Sequence, residues 1–337
     1  MKKKWNTLTR HSATEFDPAE IVTREDFHRL AQDTVRDLEM KTSTMTPSGF
    51  ICYVFDNWNH LYYYFVENYL KDRVGRLTPE EVRFISDKLA EQVCAQDYSP
   101  RLAAAVYFRY IYPEDLSALE ALSHDTDPVV RCEALESLVK IKGASAREKA
   151  VELFNTDKDS LVRLVALKQL ASMQEFNFTD IFMAALESDS AAIYSEGCKY
   201  LAEKKNRKVY MFLRRKYIRA RDHFDRLCLS HALFLHGERN KLEKILSVFN
   251  LPGDENCKLR YEASIFLDRI SWVSSNKIRK FILPGLKEAL LKEDNQKVAQ
   301  NINETIKNME LDIAKGIPDR RIKGQKEKLY FCGQECR

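Results

Sequence analysis

Glycine and proline are scarce in this chain, 10 and 9 among 337 residues. So few turn-forming residues argue against a strand-and-turn fold and favour long helices joined by short connections. No stretch approaches eighteen uncharged apolar residues, so a membrane-spanning helix is not expected. The start, Met1-Lys2-Lys3-Lys4-Trp5-Asn6-Thr7, has no apolar run behind its basic residues and does not read as a secretory signal. The sequence also lacks a glycine-rich phosphate loop, a nucleophile elbow, a Cys-x-x-Cys redox pair and a His-Glu-x-x-His pair. His223 beside Asp222 and Asp225, or His231 near Cys228, are adjacent in sequence only, which is poor ground for converging side chains. Six of the eight cysteines are scattered at no framework spacing, which predicts reduced thiols and a soluble, cytoplasmic protein. Cys332 and Cys336 lack two further ligands nearby, so no metal site and no cofactor are expected.

What the chain does have is internal repetition. The segment from Asp127 to Leu138 (DPVVRCEALESL) returns 32 residues later as Asp159 to Leu170 (DSLVRLVALKQL). Asp97 with Arg101, Ser190 with Tyr194, Asp222 with Arg226 and Asn256 with Arg260 extend the series at steps of 30 to 34 residues. That period fits a helix, a turn, a second helix and another turn. Each unit has its own physical logic. Asp, Ser or Asn at the first position can cap a helix, and Pro128 just inside wastes no donor. Val130, Ala134, Leu135 and Leu138 then fall at three- and four-residue spacing and predict one buried stripe. The small residues Ala104, Ala134, Ala166, Gly197 and Ala263 would let neighbouring helices approach closely.

An acidic cap, an apolar pair, an arginine, a small residue and a leucine in the second helix of such a unit resemble HEAT repeats. The similarity runs over roughly residues 78 to 310, with the unit around Asp294 to Ile306 degenerate. The resemblance implies an all-α fold: a right-handed α-solenoid of about six to seven HEAT-like helix pairs with an aromatic-rich helical N-terminal cap. It also implies a ladder in which Asp97, Asp127, Asp159 and Asp222 pair with Arg101, Arg131, Arg163, Arg226 and Arg260 of neighbouring repeats, interrupted at Tyr194. One class with this architecture, deoxyhypusine hydroxylase, holds iron through His-Glu motifs on these helices. Here Cys132-Glu133 and Tyr261-Glu262 stand instead, so the imidazole ligands are missing. HEAT-like bilin lyases and DNA glycosylases also host chemistry, but no motif in this chain matches either.

Three segments are expected: a helical cap over 1–77, the repeat array over 78–315 and a basic tail over 316–337. In the cap, a helix from Asp17 to about Met40 precedes an aromatic helix from Gly49 to Leu70. Tyr62, Tyr63 and Tyr64 point in three directions on a helix and cannot all face one core. With Trp58 they form either a bulky end cap or an aromatic surface for a partner.

The surface that stands out is central. Between Lys199 and Arg221 ten basic residues face a single acid, Glu203, whereas the whole chain carries 54 basic and 50 acidic side chains. Lys204, Lys205, Arg207, Lys208, Arg214, Arg215, Lys216, Arg219 and Arg221 are the candidate binding residues, interleaved with Tyr200, Tyr210, Phe212 and Tyr217. Arginine suits bidentate pairing with carboxylate or phosphate. The plainer alternative is that Tyr210, Phe212, Leu213, Tyr217 and Ile218 form a buried stripe while the basic residues simply face water. The sequence thus points to a non-enzymatic interaction module, an adaptor, assembly scaffold or neutralising partner of the immunity type, with an acidic protein as partner. Nucleic acid on the basic band is the alternative, and an enzyme without a recognisable motif is a second one.

Overall fold

The computed structural model describes residues 43–56, 62–73 and 75–316, together with Asp33, Arg36, Leu38, Met40 and Lys41, which are helical. The backbone of Tyr62, Tyr63 and Tyr64 is helical, but their side chains, Trp58, the rest of the helix expected from Asp17 and the basic tail from 317 onward lie outside the described residues. The chain divides into two compact units, Met1–Glu175 and Phe176–Arg337. The described residues contain helices and turns but no strand.

The first unit opens with α1 (Pro47–Asp56) and α2 (Tyr62–Lys71). Thr46 accepts from the Gly49 amide at 3.2 Å and Pro47 occupies the first turn, so the helix starts two residues before the sequence suggests. Phe50 is buried and stacks on Tyr69 at 3.9 Å, while Tyr53 and Phe55 pack against the same core. Next comes α3 (Pro79–Glu91), whose Thr78 and Glu81 form a reciprocal capping box.

Three helix pairs then share one logic. The second helices α4 (Tyr98–Ile111), α6 (Pro128–Lys142) and α8 (Ser160–Ser172) pack in succession, α4 on α6 and α6 on α8. The first helices α3, α5 (Ser117–Leu122) and α7 (Arg147–Thr156) each pack on the second helix that follows. Asp97, Asp127 and Asp159 are N-caps, with Asp127 accepting from Val129 at 2.8 Å and Asp159 from Leu161 at 2.7 Å. The predicted stripe of Val130, Ala134, Leu135 and Leu138 is buried.

The ladder exists, but with different acids from those expected. Arg101 forks onto Asp125 (2.7 and 3.1 Å), and Arg131 forks onto Asp157 (2.8 and 2.8 Å). Each acid stands two residues before the next cap, where it also accepts the cap residue's own N–H, Asp127 at 2.8 Å and Asp159 at 2.8 Å. The capping aspartates instead turn Oδ1 to the first amides of their own helices. Each arginine additionally donates to two carbonyls of the turn before its own helix, as Arg131 does to Asp125 and Thr126. Arg163 lies over the Phe154 ring instead, 5.8 Å from its centroid.

The second unit holds α9 (Thr179–Ala185), α10 (Ala191–Glu203), α11 (Arg207–Arg219), α12 (His223–Leu235), α13 (Lys241–Leu246), α14 (Cys257–Val273), α15 (Asn276–Lys292) and α16 (Gln296–Ala314). Here α10, α12, α14 and α16 pack in succession, with α9, α11, α13 and α15 alongside. Gly197 on α10 meets α9 so closely that a Cβ would lie 3.2 Å from the Phe182 carbonyl oxygen and 2.5 Å from Leu186 Cδ1. Asp222 caps α12, but neither Ser190 nor Asn256 makes a side-chain cap bond. The Asn256 amide turns back to the Pro252 carbonyl at 2.6 Å, because a short 3-10 turn leaves its backbone out of the extended geometry a cap needs. Arg260 repeats the ladder on Glu293 (2.6 and 3.0 Å), again two residues before a capping residue, Asn295.

Candidate functional site

The central basic segment folds as the end of α10, a turn and α11. Asn206 caps α11 by accepting from the Val209 amide at 2.9 Å. Of the thirteen residues in α11 only Val209 and Leu213 are buried. Tyr210, Phe212 and Tyr217 are half-buried, while Met211 and Ile218 are 41% and 73% exposed. The buried stripe expected from sequence is therefore narrower than five residues, and Ile218 lies outside it. α11 belongs to the layer of first helices in its unit, packed on α12.

The basic residues separate by type. Every lysine of the band has a partner within the unit. Lys199 approaches Glu196 at 3.9 Å, and Lys204 sits 4.4 Å above the Tyr200 ring. Lys205 donates to the carbonyls of Ala202 and Leu235. Lys208 pairs with Asp180 at 2.7 Å, and Lys216 with Glu187 at 2.5 Å and the Leu186 carbonyl at 3.2 Å. The arginines behave otherwise. Arg207, Arg214, Arg215, Arg219 and Arg221 are all exposed and none pairs with a carboxylate among the described residues. Arg215 makes one weak bond to the Met211 carbonyl at 3.3 Å. Among the described residues these five guanidinium groups therefore lack the carboxylate partners that Lys199, Lys208 and Lys216 have.

The interleaved aromatics are committed too. Tyr200 is buried and stacks on Phe182 at 3.6 Å with nearly parallel rings. The Tyr210 hydroxyl donates to Glu238 at 3.0 Å, and Lys241 covers the Tyr217 ring at 3.7 Å. Tyr200 and Tyr217 thus each have a ring face covered within the unit, and a covered face is closed to base stacking.

Elsewhere the chemically suggestive residues are held for structure. Glu133, beside Cys132, pairs with Arg109, which also donates to Ser137 Oγ at 3.0 Å. Burial pushes the Cys132 thiol up to about 12, far from a nucleophile's range. His231 is wholly buried, stacked on Phe266 at 4.4 Å, with neither ring nitrogen hydrogen-bonded. Burial, reinforced by Arg269, Lys199 and Lys205, pulls it down to about 3, so it stays neutral at physiological pH. A groove of about 310 Å³ in the first unit is lined by Arg131, Asp125 and Asp157, which are already bonded to one another in the ladder. No described helix is long and apolar enough to cross a membrane.

Residues 86–171 match the family model of HEAT repeats. The chain matches no curated protein sequence. Among solved structures it is similar to the complex of CpcE and CpcF of phycocyanin lyase from Nostoc sp. PCC7120, at 16% identity over 69% of this chain and 95% of that one, with a TM-score of 0.41. Two engineered proteins are similar at 16% identity (84% and 90% coverage, TM-score 0.35) and 21% identity (67% and 98% coverage, TM-score 0.33). At these scores the likenesses carry no functional weight. The recurrent caps, buried stripes and arginine rungs described above run through this matched segment, so residues 86–171 are HEAT repeats.

Proposed function

We propose that the chain is a protein-interaction module, an adaptor, assembly scaffold or neutralising partner, that docks an acidic protein on the arginines of α11 and the turn after it. The observation that carries this reading is the division within the basic band. The lysines are partnered inside the unit, whereas Arg207, Arg214, Arg215, Arg219 and Arg221 are exposed with no carboxylate partner among the described residues. Arg215 and Arg219, four residues apart on α11, repel one another and weaken the isolated helix. A partner that supplies carboxylates relieves this repulsion and engages each guanidinium through paired hydrogen bonds. A protein is favoured over nucleic acid because the neighbouring Tyr200 and Tyr217 rings are already stacked on or covered within the fold.

The test is affinity capture of the folded protein from its native lysate, with and without nuclease, using wild type and the Arg214→Glu/Arg215→Glu variant. A stoichiometric, nuclease-resistant protein lost in the variant supports the reading. A heterogeneous, nuclease-sensitive yield moves the function to nucleic acid, and unchanged capture by the folded variant refutes the arginine surface.

A further inference from the structure

The exposed face of α11 is not purely basic. At 100° per residue, Arg207, Met211, Arg214 and Ile218 fall within about 60° of one another, and Arg215, Lys208 and Arg219 follow on one flank. Met211 and Ile218 therefore sit in the middle of the face, seven residues and roughly 10 Å apart along the axis. Cations border them on both sides. Ile218 is 73% exposed and Met211 41%, although the helix has a buried side that could have taken them. The opposite face, centred on Val209 and Leu213, is the one packed into the unit.

Resting on the reading just given, we infer that the partner segment docked on α11 is an acidic amphipathic helix. Its apolar seam would seat on Met211 and Ile218, and its carboxylates would flank the seam and pair with Arg207, Arg214, Arg215 and Arg219. Three features favour this occupant. Two apolar residues one heptad apart with charges alongside have the layout of a helix–helix seam, in which the flanking charges set partner choice. A helix offers no open backbone edge, so an extended strand would gain no main-chain hydrogen bonds here. The free cations are arginines, whose planar forks match carboxylates, and the apolar strip is too narrow for a bilayer: Phe212 and Tyr217 are partly covered by the unit.

The experiment uses the full chain and a fluorescent synthetic peptide of about 18 residues, with leucines on one helical seam and glutamates beside it. The comparators are a scrambled peptide of the same composition, vesicles containing phosphatidylserine and a single-stranded DNA oligomer. The seam peptide should bind about tenfold more tightly than the scramble, and Met211→Ser/Ile218→Ser should remove that advantage. Both substituted residues are exposed, so the variant should fold, which circular dichroism checks. Equal affinity for the two peptides, or an unchanged Met211→Ser/Ile218→Ser variant, overturns the inference. If Arg214→Glu/Arg215→Glu then weakens both peptides, the acidic-partner reading survives without the seam. If it weakens neither, both fall. Vesicle binding that depends on Met211 and Ile218, without peptide binding, would assign the face to a membrane surface and also overturn the inference.

Discussion

The arginine rung is the residue-scale unit of this architecture. Arg131 is 15% exposed and Asp157 6%, so the pair is largely withdrawn from water and is worth keeping only because its bonds are complete. Asp157 accepts both arms of the guanidinium and the Asp159 amide. Burial alone would raise its carboxyl, but the Arg131 hydrogen bonds and the Asp159 N–H hold it below the ordinary value. Asp157→Ala strands Arg131 and should cost about 3 kcal/mol in urea unfolding. Lys208→Gln, which breaks a pair 69% and 82% exposed, should stay within about 0.5 kcal/mol of wild type. The rung acid was legible in principle: Asp125-Thr126-Asp127 and Asp157-Lys158-Asp159 repeat at the 32-residue offset. Only the second aspartate of each looked functional, because helix capping is a local rule whereas the first aspartate answers to an arginine more than twenty residues earlier. His231 makes a second residue-scale prediction. Its folded value of about 3 lies below its ordinary 6.5, so the unfolded chain takes up a proton that the folded chain refuses. Its contribution to stability is complete above pH 6.5 and falls by about 1.4 kcal/mol per unit as the pH drops towards 3. Thermal melts of His231→Leu between pH 7.5 and 5 should show a flatter pH dependence than wild type. Identical slopes would contradict the account of a buried neutral imidazole.

At the scale of elements, helix starts and close approaches decide the fold. The four aspartate caps were readable because the acid, the first-turn residues and the following stripe sit in one short segment. Ser190 and Asn256 carried the same signal but do not cap by side chain; the backbone of Asn256 is not extended as a cap requires, whereas that of Ser190 is. Gly197 was readable as a point of contact from its place in the repeat, and the contact is tight enough to test. Gly197→Ala improves helix propensity yet forces a methyl group against α9, so it should destabilise by about 1–3 kcal/mol. A stabilised variant would contradict the packing described. Asn206→Ala should cost about 1 kcal/mol and fray the first turn of α11, seen as faster amide exchange at Val209. The identity of the α11 stripe was less legible: Tyr210, Phe212, Tyr217 and Ile218 all read as apolar, and periodicity alone does not reveal which angular sector meets α12.

For the whole molecule, near-balanced charge conceals a local field of ten cations to one acid between Lys199 and Arg221. The sequence located that field but not its division, because whether a lysine is committed depends on Asp180, Glu187 and Leu235, which lie outside the segment. The boundary at 175/176 was equally hidden, since the repeat steps from Asp159 to Ser190 by 31 residues without a break. On the proposed reading the arginines of the band meet the partner, while its lysines are paired within the unit. The most direct measurement compares partner capture by Lys208→Gln/Lys216→Gln and by Arg214→Gln/Arg215→Gln at equal protein concentration. Near-normal capture by the lysine variant and at least about tenfold weaker capture by the folded arginine variant are expected. Equal losses in the two variants would mean that bulk positive charge, not the arginine row, is what the partner sees.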